Sequence, residues 1–184
     1  MAVWIVVILV GVGAAGVGWF ARSRGPAAGP MACPTCAEAT NGLAVTNTAA
    51  NTFTFNSTPL VNHSSEPAVL DSVTLIKPSP GVHITRVAVS SKPTLYQLER
   101  GSLTPRLYPS PSLTDAAGAT IPPATGDPQR FSLVIFLAVP RSRGTYTVAG
   151  VTVNYHQGAT HYRASYRDSA RICLGSSTCS AAPV

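Results

Sequence analysis

The chain has 184 residues, of which 45% are hydrophobic and 11% charged, against the roughly one quarter charged that is usual in soluble domains. Its formal net charge of +6 favours anionic partners. With seven acidic residues, no glycine-flanked nucleophile and no phosphate-binding glycine loop, the sequence predicts neither a hydrolase nor a nucleotide-binding enzyme. Its basic residues lack a nucleic-acid-binding motif, so DNA and RNA are not expected partners.

Residues 1–21 are predicted to be a transmembrane helix. Residues 2–21 hold no charged side chain, and a helix of about 20 residues spans the hydrocarbon core of a bilayer, which is roughly 30 Å thick. Trp19 and Phe20 fall where an interfacial aromatic belt is expected. The sequence therefore predicts a single-pass protein of the cell membrane.

Small residues recur on this helix at spacings that let another helix backbone approach closely. They are Gly11, Ala14, Ala15 and Gly18. This spacing predicts a helix-packing face and homo-oligomerisation through the membrane segment. A Gly/Ala-rich composition alone is the alternative explanation.

Two features predict opposite sides of the membrane for the rest of the chain. Arg22 and Arg24 follow the helix directly, and the positive-inside rule places such residues in the cytoplasm. Four cysteines and a Ser/Thr-rich composition are instead typical of exported domains. We give the second feature more weight and expect the C-terminal domain to be extracytoplasmic.

The remaining sequence divides into three parts. Residues 22–42 are rich in Gly and Pro without periodicity, and are predicted to be a flexible neck. Residues 43–174 form one domain, in which Ser, Thr, Val, Gly and Pro favour strands and turns over helices. Residues 175–184 form a C-terminal tail.

About seven short strands are predicted in this domain. They cover residues 43–45, 52–55, 68–77, 82–90, 131–139, 145–155 and 161–172. The strands at 68–77 and 82–90 are most simply joined as a hairpin, and residues 92–129 are expected to form a long loop with one or two short edge strands. The nearly continuous apolar run at 131–139 indicates a central strand buried on both faces. Gly150 lies where the apolar phase shifts, as a β-bulge requires.

The last predicted strand, 161–172, has an apolar and a polar face. Arg163, Arg167 and Arg171 lie on the polar face and predict a surface for anionic partners such as phospholipid headgroups, acidic polymers or acidic proteins. A solvated arginine-rich face is the alternative. Asp168 is the exception on the apolar face, where it could pair with a neighbouring arginine.

Short strands with regular turn signals predict an all-β fold, an immunoglobulin-like antiparallel β-sandwich preceded by the N-terminal membrane helix. The run from Phe55 to Val73 and the segment from Tyr146 to Tyr155 resemble the exported immunoglobulin-like domains of uncharacterised, single-pass actinobacterial membrane proteins. The resemblance implies this fold and a location in the cell envelope. It brings no activity and no functional residues.

Four cysteines form two pairs along the sequence, Cys33 with Cys36 and Cys173 with Cys179. The first pair has the spacing of a redox dithiol, but the strand-helix context of such a motif is missing. Four thiolates can bind zinc, but the second pair does not have the spacing of a zinc knuckle. We expect structural disulfides. Local pairing competes with cross-pairing of neck and tail, and cross-pairing would stabilise the fold more because closing a long loop contributes about 4 kcal/mol. Both connectivities stay open at this point.

His156 and His161 flank the last turn and could meet across a hairpin, which is how a two-histidine metal site begins. No carboxylate or third histidine is close in sequence, although His63 or His83 could approach through the fold. We therefore predict no metal, no cofactor and no catalytic residues.

These features together predict a non-enzymatic, membrane-anchored, extracytoplasmic β-sandwich. Such a domain would bind or scaffold another envelope protein or an anionic envelope polymer. Two alternatives remain. One is a membrane-tethered thiol-disulfide protein that uses Cys33 and Cys36, and the other is a metal-handling ectodomain centred on His156 and His161.

Overall fold

The computed structural model describes residues 29–31, 42–47, 51–91, 113–124, 131–175 and 179. Every element of regular secondary structure in this part of the chain is a β-strand, as the sequence predicted. They are β1 (Gly42–Asn47), β2 (Thr52–Leu60), β3 (Ala68–Ile76), β4 (His83–Ser90), β5 (Leu113–Asp115), β6 (Thr120–Ile121), β7 (Phe131–Ala138), β8 (Gly144–Val148), β9 (Gly150–Gln157), β10 (Thr160–Tyr166) and β11 (Ser169–Leu174).

The predicted membrane helix at residues 1–21 lies outside the described residues. Among the residues that are described, no helix has the length and apolar character needed to cross a membrane.

Two four-stranded antiparallel sheets contribute side chains to one hydrophobic core and so form a β-sandwich. One sheet has the strand order β10-β9-β3-β6 and the other β2-β7-β4-β5. A smaller sheet, β1-β11-β8, has β1 parallel to β11. In an immunoglobulin domain, strands B, E and D share one sheet and C, F and G the other. Here β2, β7 and β4 correspond to the first set and β3, β9 and β10 to the second, so the strand order is immunoglobulin-like.

Strand β7 is the centre of its sheet, as its continuous apolar sequence predicted. It pairs with β2 on one side and β4 on the other. Leu133, Val134 and Ile135 are consecutive and at most 1% exposed, so both faces of the strand are covered. Burying each such side chain contributes about 1.5 to 3 kcal/mol. Across the core, the alternate residues Val151, Val153 and Tyr155 of β9 are fully buried.

The predicted hairpin between β3 and β4 is wrong. Strand β3 pairs with β9 and β6, whereas β4 pairs with β7 and β5, so the chain crosses from one sheet to the other. The connection is held by Ser79, whose backbone N–H donates to the carbonyl of Thr147 in β8 at 2.8 Å. This bond joins the loop after β3 to a strand of the small sheet.

The long loop prediction is confirmed where the structure describes it. Strand β5 pairs at the outer edge of β4, and β6 pairs at the outer edge of β3. The two short edge strands of the 92–129 stretch therefore flank different sheets.

The predicted bulge at Gly150 is not confirmed, because Gly150 pairs with Ile76 in regular register and the register shift between β3 and β9 lies at Leu70/Ser72 instead. Gly150 has φ of 142°, a backbone conformation that favours glycine. A Cβ there would clash with the carbonyl oxygen of Tyr166 in the neighbouring strand. The strand pair bends at this point, so β8 and β11 join the small sheet while β9 and β10 join the larger one.

Part of the predicted neck belongs to the sandwich. Met31 is 1% exposed and joins the core. Its N–H donates to Tyr155 Oη at 3.0 Å, and its carbonyl accepts from Tyr166 Oη at 2.7 Å. A flexible neck from residue 22 to residue 42 is therefore wrong for residues 29–31. The sequence pattern missed this because three residues are too few for a periodic signal.

The structure joins Cys173 to Cys179, with a Cα–Cα distance of 5.8 Å. Of the two connectivities, the structure therefore shows the local one for the C-terminal cysteines, and neither Cys173 nor Cys179 is joined to the neck. In the chain-entropy model a disulfide that closes a longer loop stabilises the fold more, but any disulfide requires the two Cα atoms to lie within about 7 Å. The end of β11 and Cys179 meet this condition.

Candidate functional site

The outward face of the β10-β9-β3 sheet carries cross-strand hydrogen bonds between polar side chains. Asn154 of β9 donates to Ser72 Oγ of β3 at 3.0 Å and accepts from Arg163 Nε of β10 at 3.1 Å. The hydroxyl oxygens of Thr152 in β9 and Ser165 in β10, which are direct cross-strand partners, lie 3.3 Å apart. We call these five residues the polar ladder. Alternation along β9 directs its apolar side chains into the core and the ladder outward.

Two histidines and a carboxylate meet at the turn end of this face. His156 and His161 are direct cross-strand partners, with ring centroids 5.5 Å apart. Asp71 Oδ1 is 2.7 Å from His156 Nδ1, and Asp71 Oδ2 is 3.3 Å from His161 Nδ1. We call these three residues the His–Asp–His cluster.

A β-bulge in β3 brings Asp71 to the cluster. Leu70 pairs with Tyr155 and Ser72 with Asn154, so Asp71 is an extra residue between consecutive pairs. A bulge redirects a side chain relative to simple alternation. As a result, Asp71 and Ser72 are both exposed although they are neighbours in sequence.

A buried polar network supports the cluster from the inside of the sheet. Gln157, the last residue of β9, is 8% exposed and donates to the carbonyl of Glu66 at 2.8 Å. Asn62 is 1% exposed and donates to the carbonyls of Glu66 and Ile121 at 2.7 and 3.1 Å. Buried amides are costly to leave unpaired. The network therefore holds the hairpin end that carries His156 in one position.

The three arginines of the predicted anionic-partner face have different surroundings. Arg163 is exposed on the ladder, and Arg167 is exposed in the connection between β10 and β11. Arg171 is only partly exposed and its Nε is buried. The reason is that the chain enters the small sheet after Tyr166, where Arg171 lies on β11 between β1 and β8. Two of the three arginines therefore stay fully accessible.

Two buried tyrosines lie beneath this face. Burial raises the pKa of Tyr166, and Tyr155 and Asp168 raise it further. Burial also raises the pKa of Tyr155, although the hydrogen bond from the Met31 N–H lowers it in part. Asp168, the acid on the predicted apolar face, is itself 5% exposed.

A cleft of about 580 Å³ opens between the two sheets beside the cluster, with Asp71 among its lining residues. Its walls come from β3, β4 and the segment between β5 and β6. Arg86 and Asp115, joined by a salt bridge of 2.9 Å, also line it.

Several predicted residues lie outside the described part of the chain. They are Cys33 and Cys36 of the C-x-x-C motif and the helix-packing residues Gly11, Ala14, Ala15 and Gly18. The redox and helix-packing hypotheses stay predictions.

The sequence indicated the two histidines but missed Asp71 as their partner. His63 and His83, which were considered as third ligands, are not members of the cluster. His83 Nδ1 instead lies 3.1 Å from the carbonyl of Gly81. The available signal was the pair Asp71-Ser72, two consecutive polar residues that interrupt an otherwise mostly apolar strand, as a bulge does.

No known protein family matches the chain, and no curated protein matches it. Among solved structures it is similar to the ASH/PapD-like domain 7 of human CEP192, with a TM-score of 0.37 and 12% identity over 75% of this chain and 83% of that one. The immunoglobulin-like assignment rests on the strand order. The resemblance to exported actinobacterial domains stays a prediction.

Proposed function

We propose that this domain is a non-enzymatic binding module that recognises another component of the cell envelope through the outward face of the β10-β9-β3 sheet. The observation that supports this most is the polar ladder. Its side chains are oriented by bonds across three rigid strands, so little side-chain entropy is lost when a partner docks. The domain is anchored in the membrane by residues 1–21 and lies on the extracytoplasmic side.

Arg163 and Arg167 give this face its preference for anionic groups. The Nε of Arg163 is bonded to Asn154, which orients the guanidinium while the side chain stays exposed. A guanidinium in fixed orientation binds a carboxylate or phosphate through two parallel hydrogen bonds. The partner is therefore an acidic envelope protein or an anionic envelope polymer.

The binding test compares the charge-reversed variant R163E/R167E with the parent chain in intact cells. After chemical crosslinking, the full chain is isolated from the membrane fraction and the bound protein and polymer are quantified. We expect the double variant to lose at least about 90% of the bound component, since two favourable contacts become repulsive. Bound amounts should also fall as salt is raised.

The control is R141E, which reverses one exposed charge in the connection between β7 and β8 that is not part of the polar ladder. It should retain the partner. Equal retention by the double variant and the parent would contradict the proposed binding face.

The location of the domain is tested separately by adding a protease to intact cells or spheroplasts. An extracytoplasmic domain is digested without lysis once the sandwich is destabilised by reducing agent and mild denaturant. Protection until lysis would place the domain in the cytoplasm, in line with Arg22 and Arg24.

A further inference from the structure

We propose that Asp71, His156 and His161 form a binding site for a divalent transition-metal ion such as Zn²⁺. Each residue offers one ligand atom, and these atoms all lie within 4.8 Å of one another. The site comes from three adjacent strands, β3, β9 and β10. It does not depend on the proposed binding of an anionic partner.

The distances fit metal coordination after small rotations of the side chains. Ligands about 2.1 Å from a tetrahedral metal lie roughly 3.4 Å from one another. The two carboxylate oxygens of Asp71 are already 2.7 and 3.3 Å from the histidine nitrogens. The side chains of His161 and Asp71 are 67% and 33% exposed, so they are free to adjust around an ion without repacking the core.

The chemistry of the ligands selects the class of ion. Two imidazoles and one carboxylate suit Zn²⁺, Cu²⁺, Ni²⁺ and Fe²⁺. Calcium and magnesium prefer sites built from oxygen ligands, and Ca²⁺ needs six to eight of them. Three protein ligands at an exposed position leave at least one coordination position open to water or to a ligand from another molecule.

The fold holds these ligands in place before an ion arrives. The cross-strand register fixes His156 opposite His161, and the bulge between Leu70 and Ser72 directs Asp71 to them. Gln157, next to His156, is anchored by its bond to Glu66. Since the ligands come from positions up to 90 residues apart, an unfolded chain does not present the site.

The test is a zinc titration of the full chain, purified in detergent, stripped of metal and followed by calorimetry. The C33S/C36S variant serves as the parent, because it removes the thiols of the C-x-x-C motif that could bind zinc themselves. We expect one equivalent of Zn²⁺ to bind. The variants H156A, H161A and D71N should each weaken binding by at least about tenfold, since loss of even an outer-sphere partner costs that much.

The variant H83A is the matched control, because it removes an exposed histidine that is not part of the cluster. It should bind zinc as the parent does. A Cu²⁺ electron paramagnetic resonance spectrum supplies a second readout, with coupling to two nitrogens in the parent and to one in H161A.

Two results would overturn the proposal. One is the absence of saturable zinc binding by the parent. The other is unchanged affinity in H156A, H161A and D71N. Circular dichroism of each variant confirms that the sandwich is folded, so a loss of binding is assigned to the ligands. Because R163E/R167E leaves all three ligands in place, it should still bind zinc even where it loses the anionic partner.

Discussion

At the scale of single residues, Gly150 occupies the position between β8 and β9 that tolerates a side chain least. It has φ of 142° and lies against the backbone of Tyr166, where the β9–β10 pair bends away from the small sheet. A side chain at this position is opposed both by the backbone conformation and by the lack of space. The bend, and the direction of the strands that carry the ladder, depend on the missing Cβ.

We expect Gly150→Ala to lower the free energy of unfolding by about 3 kcal/mol. Gly118→Ala is the matched control. Gly118 also has a positive φ, of 78°, but a Cβ there meets nothing within 4 Å, so the cost should be about 1 kcal/mol. Both tryptophans lie in the predicted membrane segment, so unfolding is followed by the near-ultraviolet circular dichroism of tyrosine. Equal costs for the two substitutions would contradict the steric argument.

The buried tyrosines predict a loss of stability at high pH. The pKa values of Tyr155 and Tyr166 are raised in the folded protein. Above about pH 10 the unfolded chain releases tyrosine protons that the folded protein keeps. The free energy of unfolding should therefore be constant below this pH and fall by about 1.4 kcal/mol per pH unit for each such tyrosine above it.

The measurement is chemical denaturation between pH 8 and pH 11. Tyr166→Phe removes one of the two groups, so the slope above pH 10 should become shallower, whatever the substitution does to stability at neutral pH. An unchanged slope in this variant would show that Tyr166 is not responsible.

Residue-level chemistry was only partly predictable from the sequence. The pairing of His156 with His161 followed from alternation on either side of a short turn. Asp71 was not predictable as their partner because it lies 85 residues before His156 and reaches it through a bulge. Arg171 is only partly exposed on β11, where the alternate residues Ser169 and Cys173 are buried, and this burial comes from the small sheet.

At the scale of elements, the β10-β11 segment links the outward face to the C-terminal disulfide. Strand β10 carries Arg163 and Ser165 of the ladder and His161 of the cluster, and β11 ends beside the bond between Cys173 and Cys179. Strand β1 runs parallel to β11 and covers its free edge. The disulfide closes only a short loop, so it stabilises the end of this segment more than the whole fold.

We expect the double substitution C173A/C179A to lower the free energy of unfolding by about 2 kcal/mol, the value for a loop of this length. A bond between neck and tail would have contributed about 4 kcal/mol or more. Chemical denaturation of the variant and the parent measures the difference. A loss near the larger value would indicate that Cys173 or Cys179 is joined to the neck instead.

Local sequence patterns predicted the strands better than their partners. Strand β7 was recognisable because its apolar run is set by its own burial. The predicted strands 145–155 and 161–172 were each wrong as single strands, since each divides into two strands that belong to different sheets. The pairing of β3 with β9, and not with β4, was not recognisable. It joins segments that are distant along the chain, such as Val69 with His156, and no local pattern records such a pairing.

At the scale of the whole molecule, one immunoglobulin-like sandwich displays a polar, arginine-bearing face and a histidine cluster on the same sheet. Gly29–Met31, which follow the predicted membrane helix by only a few residues, are fastened to the core by Tyr155 and Tyr166. If residues 1–21 span the membrane as predicted, seven residues, 22–28, separate that segment from this attachment in the sequence. The sandwich would then lie close to the membrane surface, where an envelope partner is within reach.

The most direct test of the binding face is site-specific photo-crosslinking in intact cells. A photoreactive amino acid replaces Ser165, which is exposed on the edge strand β10 of the outward face, or Thr85, which is exposed on β4 of the opposite sheet and provides the control. We predict a defined adduct from position 165 that disappears in R163E/R167E, and no such adduct from position 85. Equal adducts from both positions, or an adduct from position 85 alone, would contradict the account.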